Sequence, residues 1–493
     1  MSPEPVDTAQ ASNTPHLRRV LGTWDLALLC VVAVANLNLV PVIAAGGAPV
    51  VWFWLLALLF FFWPQGIAVI EFSKRYPGEG GIYLWSKERF GPWHGFLAGW
   101  CYWTNNIFYI PTLLLYIVGI ALYIGGPRFV ALNNDKTFVF VAAILLLALL
   151  VALNVRGLGL GKWVNNSGAI GTAAAAVVLG ILAVLVFSRQ GNPLGASEFR
   201  IAGADWSVFN TFGVICFGLV GLELGSVMGD EIRNPAHTVP RGVFWGGIAS
   251  GVLYVGATLA VLFALPKAKI SAVQGILQAV ASMADSVDFG WLVPPVALVL
   301  TISIAGIASA WLSGSARIPF VAGLDSYLPE RLGRLHPRYG TPHVALITQS
   351  ILSGLFVGMS FLGENVEEGY KTLLDLAVVL QLVPFLYLYA AMIDLARRPA
   401  DGLGRYSKGV LWLAGISGVV TSALGMVVAF IPQREGQTLW IFETKMAAGT
   451  LLFLALAAFF YFPYSRRKAA LLAAAAATGS PPVAEFPDPG GQL

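Results

Sequence analysis

Charge is what this chain has least of. Of its 493 residues only 11% are Asp, Glu, Lys or Arg, against about 25% in an ordinary soluble domain. A chain so poor in charge cannot coat a water-soluble surface, and a nucleic-acid binder is excluded for the same reason. Cysteine is nearly missing. Cys30, Cys101 and Cys216 all fall in apolar runs, which rules out a disulfide framework and a cysteine metal site. The five histidines sit in loops or at the ends of apolar runs, without metal-ligand spacing. No Ser–His–Asp arrangement and no carboxylate pair stands within an apolar run, so an enzyme is not expected, and no cofactor is implied. Gly157-Leu158-Gly159-Leu160-Gly161-Lys162 lacks the spacing of a phosphate loop and reads as a turn.

Apolar runs are what fill the space. Hydrophobic residues make up 57% of the chain, and stretches of about 20 apolar residues, enough to cross a bilayer, follow one another. We expect twelve membrane helices, near 24–46, 50–72, 95–124, 137–154, 164–187, 207–228, 242–265, 291–316, 343–362, 372–394, 409–432 and 439–462. Around them lie a polar N-terminal tail (1–22) and a disordered C-terminal tail (463–493), flanking a transmembrane domain at 23–462. The first apolar stretch has no clear small-residue cleavage site, so it is expected to be retained. Placing the N-terminus inside puts 21 of the 30 Lys and Arg on that face and 9 on the other. The positive-inside rule then favours both termini in the cytoplasm of a plasma- or inner-membrane protein. Leu324–Pro342 reads either as a short surface helix or as a charged connector. Small residues at every third or fourth position around Gly242–Gly256 would let the seventh helix pack closely on a neighbour.

Two of these expected helices are interrupted. In the first, Asn36, Asn38 and Pro41 fall at mid-depth. In the sixth, Gly218, Gly221 and Gly225 surround Glu223. The breaks open the first and second groups of five spans, as in an inverted repeat. A half-helix starting near Pro41 would expose about four amide N–H groups, a seat for a carboxylate. One ending near Gly218 would expose carbonyls that suit an ammonium. A small zwitterion is the ligand such a pair would take. A carboxylate at the depth of Glu223 persists only where it faces a polar cavity or a partner; it can load and release a proton, or brace the broken helix. Asn105 and Asn106 on the third span, Ser309, Trp311, Ser313 and Ser315 on the eighth, and Gln381 on the tenth add polar groups at similar depth.

Several stretches are familiar together. Glu71-Phe-Ser-Lys-Arg-Tyr-Pro-Gly-Glu-Gly-Gly-Ile-Tyr83 with Phe90-Gly91-Pro92, then Phe217-Gly-Leu-Val-Gly-Leu-Glu223 with Gly229-Asp-Glu-Ile-Arg-Asn-Pro235 and Val239-Pro-Arg241, and His336-Pro-Arg-Tyr-Gly-Thr-Pro342 resemble loops and spans of the amino acid/polyamine/organocation permeases. Trp103 through Thr112 is similar to the glutamate/GABA antiporter branch. The resemblance covers about residues 20 to 465. It implies an all-α, leucine-transporter-type fold of five-plus-five inverted repeats with two extra helices, working by alternating access. It implies that Phe217 is an aromatic gate, that Trp311 lines the site and that Asn106 matches a polar residue of the third span. One departure stands out: the first break has Asn36-Leu-Asn38-Leu-Val-Pro41 where relatives carry a Gly-x-Gly-like segment. The Asn side chains would take over part of the carboxylate contact. The fifth span also offers no mid-depth lysine to replace a sodium ion.

The expectation is an amino acid permease, proton-coupled or exchanging, with Asn36, Asn38, Leu39, Asn106, Phe217, Gly218, Gly221 and Trp311 about the substrate and Glu223 as the proton-coupling residue. The rivals are a sodium symporter using Ser309 and Ser313, and a non-transporting nutrient sensor.

Overall fold

The computed structural model describes residues 22–76, 80–191, 194–201, 206–227, 232–325, 327–361, 366–399, 404–432 and 439–478. The N-terminal tail, the last fifteen residues and the motif segments 77–79 and 228–231 lie outside them. Among the described residues there are only helices and turns, with no strand. Eleven helices are long and apolar enough to span a bilayer, and Ser207–Gly218 is a shorter apolar helix. That shorter helix is the sixth of the twelve expected spans, cut short by its break.

The spans are the first (Thr23–Val34 continued by Val40–Ala44), second (Val50–Arg75), third (Pro92–Ala121), fourth (Lys136–Arg156), fifth (Leu158–Gln190) and sixth (Ser207–Gly218, then Leu224–Val227). The seventh (Pro235–Ala264), eighth (Val293–Ser315), ninth (His343–Ser360), tenth (Val366–Arg397), eleventh (Lys408–Val428) and twelfth (Leu439–Thr478) follow.

Their packing repeats itself with a shift of five. The third span packs on the tenth and the eighth on the fifth; the first on the seventh and the sixth on the second; the first on the fifth and the sixth on the tenth. A two-fold exchanging spans 1–5 with 6–10 generates this set of pairs. Because each half holds an odd number of spans, the second half enters the bilayer from the opposite side, the inverted arrangement.

Small residues set the closest approaches. A Cβ on Gly246 would stand 2.5 Å from Cys30 Cβ and 2.8 Å from the Ala27 carbonyl, and one on Gly242 would stand 2.8 Å from Leu26. The seventh span therefore lies directly against the first, as glycine-lined membrane helices do. One proline within a span is matched by a hydroxyl. Pro64 has no N–H to give the Phe60 carbonyl one turn back, and Thr421 Oγ1 donates to that carbonyl at 3.0 Å. Tyr389 donates to the neighbouring Phe61 carbonyl at 2.7 Å, beside the widened turn Leu58–Phe62.

Two expectations are corrected here, and one left open is decided. The twelfth span continues as helix to Thr478, so the tail is not disordered from 463; its Ala-rich run has high helix propensity. Helix also begins at Leu158, leaving Gly157, with φ of 108°, as the turning residue rather than a turn through Lys162. Among the described residues that follow Leu324, up to Pro342, one short helical turn, Glu330–Gly333, is present, and the segment is a charged connector. Its Asp325 carboxylate accepts from Lys87 Nζ at 2.7 Å and from the Tyr83 hydroxyl. The Asp325 carbonyl accepts from Lys468 Nζ at 3.0 Å. The helix after the second span (Ile82–Phe90), this connector and the extended twelfth span are thus tied at one face.

Candidate functional site

The first span stops being helical because Ala35 and Asn36 leave the helical region, with ψ of 63° and 83°. Pro41 then restarts the helix one turn later, near the N-terminus of Val40–Ala44. The Asn36 side chain caps the first half, its Nδ2 donating to the Ala33 carbonyl at 2.9 Å. Trp311 Nε1 reaches the same carbonyl from the eighth span at 3.2 Å. Asn38 is held by two phenols: Tyr370 donates to its carbonyl at 3.1 Å, and Tyr109 stands 3.5 Å from its Oδ1.

The sixth span opens at Gly218. Gly221 has φ of +136°, and a Cβ there would stand 2.8 Å from the Ala33 carbonyl carbon and oxygen. Only glycine fits both that backbone and that approach. This contact brings the two breaks together. Glu223, fully buried, then receives three donors: Gly221 N–H at 2.9 Å, Gln65 Nε2 at 2.9 Å and the Tyr102 hydroxyl at 3.0 Å. Spans two, three and six meet on this one carboxylate. Above it Tyr109 makes edge contacts with Phe217 and Trp311, ring centroids 5.0 and 6.1 Å apart.

Asn36, Asn38, Leu39, Phe217, Gly218, Gly221, Glu223 and Trp311 fall in one neighbourhood, all buried. Asn106 sits one turn from Tyr102, donating to its carbonyl at 2.9 Å. The row of free amides expected at the first break is not free. Asn36 N–H faces the Val34 carbonyl at 2.7 Å, Leu37 N–H the Ala35 carbonyl at 3.1 Å, and Leu39 N–H the Asn36 carbonyl at 3.0 Å. With side chains rather than glycines, this break folds into tight turns that use its own donors. The unsatisfied groups are side-chain atoms instead: Asn36 Oδ1, Gln65 Oε1 and Asn106 Oδ1 are buried acceptors without a partner.

Other polar residues are spent on packing. Asn105 Nδ2 donates to Gln381 Oε1, joining the third and tenth spans. Ser309 pairs with Asn154 at 3.0 Å, Ser313 donates to the Ala310 carbonyl, and Ser315 pairs with Gln349. Gln65, Tyr102, Tyr109, Tyr254 and Tyr370 are the residues that sequence reasoning missed. Gln65 had a readable signal, a lone amide beside a proline in an otherwise apolar run. Buried tyrosines give none, because their spacing does not distinguish packing from a site.

The model of the family described as "Amino acid permease" matches residues 21–456. The chain belongs to the amino acid permease family. Its members are transporters, not enzymes. Among relatives of this permease, an uncharacterized transporter of Legionella pneumophila is 28% identical over 89% of this chain and 96% of its own. A probable agmatine/putrescine antiporter of Lactococcus lactis is 23% identical over 87% and 92%. A branched-chain amino acid permease of Bacillus subtilis is 24% identical over 73% and 80%.

Proposed function

We propose that this permease carries an amino acid or a related amine, seated between the breaks of the first and sixth spans, by alternating access in a cell membrane, with both termini inside. The observation that carries the reading is the junction itself. Two interrupted helices touch at Gly221 and Ala33, under an aromatic layer of Phe217, Tyr109 and Trp311. Helix ends inside a bilayer aim backbone dipoles at a charged solute. The three unpaired acceptors Asn36 Oδ1, Gln65 Oε1 and Asn106 Oδ1 belong to amides whose Nδ2 or Nε2 donates to Ala33, to Glu223 and to Tyr102 respectively. Acceptor oxygens suit a solute that brings an ammonium group.

Glu223 is our proton-coupling residue. Its carboxylate is braced by donors from three spans, so a change in its protonation is felt by all of them at once. The Ser309 hydroxyl is held in a reciprocal pair with Asn154 of the fourth span. The three-donor brace on Glu223 is the feature that favours proton coupling or exchange.

Proteoliposomes decide the matter. Uptake of labelled amino acids or diamines is expected under a proton gradient or against internal solute, and to persist when choline replaces sodium. No uptake under any gradient or counter-solute refutes the reading.

A further inference from the structure

One hydroxyl joins the two breaks. Tyr254, on the seventh span, accepts from Asn36 N–H at 3.0 Å and donates to the Gly218 carbonyl at 3.1 Å. It is fully buried. Its ring lies against Trp54 at 4.8 Å. Trp54 Nε1 donates to Thr258 Oγ1 at 3.1 Å, and that hydroxyl donates to the Tyr254 carbonyl at 2.9 Å. The phenol is therefore aimed by a supporting set on spans two and seven. A Cβ on Gly218 would stand 3.0 Å from the Tyr254 oxygen and 3.1 Å from Leu39, so the hydroxyl sits tightly in the junction.

The two backbone groups it touches are of opposite kind, one donor and one acceptor, one from each broken helix. A zwitterion's carboxylate would take the first and its ammonium the second. A carboxylate only accepts and an ammonium only donates; a hydroxyl does both through one oxygen. Without it, Asn36 N–H would keep only the bent contact with the Val34 carbonyl two residues back, a poor geometry.

We propose that the Tyr254 hydroxyl stands in for the solute when the carrier is empty, so that the two breaks close without cargo. This rests on reading the junction as the solute seat. A buried polar group left unpaired disfavours the state that buries it by about ten-fold or more. With Tyr254 present the empty carrier escapes that penalty, closes and returns across the membrane. Net movement then accompanies exchange. Solute binding turns the phenol away, and the solute's own charges replace it.

The test is Tyr254→Phe, which keeps the ring against Trp54 and removes only the oxygen. Proteoliposomes are loaded with labelled leucine, arginine, glutamate or putrescine. Release into solute-free buffer is compared with release into buffer holding the same unlabelled solute. The expected result is that the ratio of net efflux to exchange falls about ten-fold in the variant, with half-maximal exchange at lower external solute. A merely structural role would lower both rates together; an unchanged or raised ratio overturns the proposal. Wild type is a second arm, independent of how the variant folds. A wild-type carrier that exchanges a probe but shows no net efflux overturns the proposal. A wild type that moves none of the probes by either route removes the transport reading itself, and the proposal with it.

Discussion

At the scale of single residues, Glu223 and Gly221 carry the most. Glu223 Oε2 accepts from two N–H donors, Gly221 and Gln65, while Oε1 faces the Tyr102 hydroxyl. A Glu223→Gln amide can keep its oxygen toward the two N–H groups and turn its NH2 to Tyr102, whose hydroxyl reverses to accept. The variant is therefore expected to fold with a melting temperature within a few degrees of wild type, and to lose the pH dependence of uptake; an unchanged pH profile would remove Glu223 from coupling. Gly221→Ala meets both a positive φ and the Ala33 backbone at 2.8 Å. Strain of about 1–3 kcal/mol, with the contact added, predicts a clear drop in thermal stability and slower transport, read by thermal shift and initial rate. A variant as stable as wild type would show that the breaks do not touch. Glu223 was legible as an isolated carboxylate in an apolar run. Its partners were not, because Gln65 and Tyr102 reach it from positions 158 and 121 residues away, and no local pattern encodes such a meeting.

The elements were easier to read than their junctions. Ranges of apolar residues located all twelve spans, since length and hydropathy alone decide what can cross hydrocarbon. The breaks were legible too, because a proline and glycines inside a span interrupt its hydrogen bonding whatever the surroundings. What the first break does with its donors was not legible. Asparagines in place of glycines let it coil into tight turns, and the count of free amides fails once a side chain can cap a carbonyl, as Asn36 caps Ala33. The close pairing of the first and seventh spans gives a prediction at this scale. Gly246→Leu forces a branched side chain into a gap where even a Cβ would stand 2.5 Å from Cys30. Loss of the monodisperse gel-filtration peak is expected; a well-folded variant would mean that the two spans separate freely. Trp311→Phe, by contrast, keeps ring contact with Tyr109 but gives up the indole donor to Ala33. A several-fold rise in the half-saturating solute concentration is expected in uptake assays, against no change if Trp311 only packs.

For the whole molecule, the five-span shift in packing partners means that each break belongs to a half that the other half mirrors, and the site falls where the halves meet. One face is fastened by charge as well. Asp325 gathers Lys87 and Tyr83, Arg89 pairs with Asp394, and Lys468 reaches the same connector from the twelfth span. Burial and the neighbouring Asp325 raise the Tyr83 phenol above its ordinary value, so it remains a donor to Asp325 into alkaline solution. Asp325→Asn weakens partly exposed pairs, so the melting temperature should fall by only about 1–3 °C, while this face opens more readily to a thiol reagent at an introduced cysteine; unchanged labelling would separate the cluster from gating. The sequence left a surface helix and a charged connector both open here and could not show that a helical tail would reach this segment. The central claim is that solute is held where the two broken helices meet, and saturable uptake of labelled amino acids and diamines, in wild type beside Phe217→Ala and Asn36→Ala, tests it most directly. The account predicts uptake by wild type and a fall of at least about ten-fold in apparent affinity for each variant; variants that transport with wild-type affinity would contradict it.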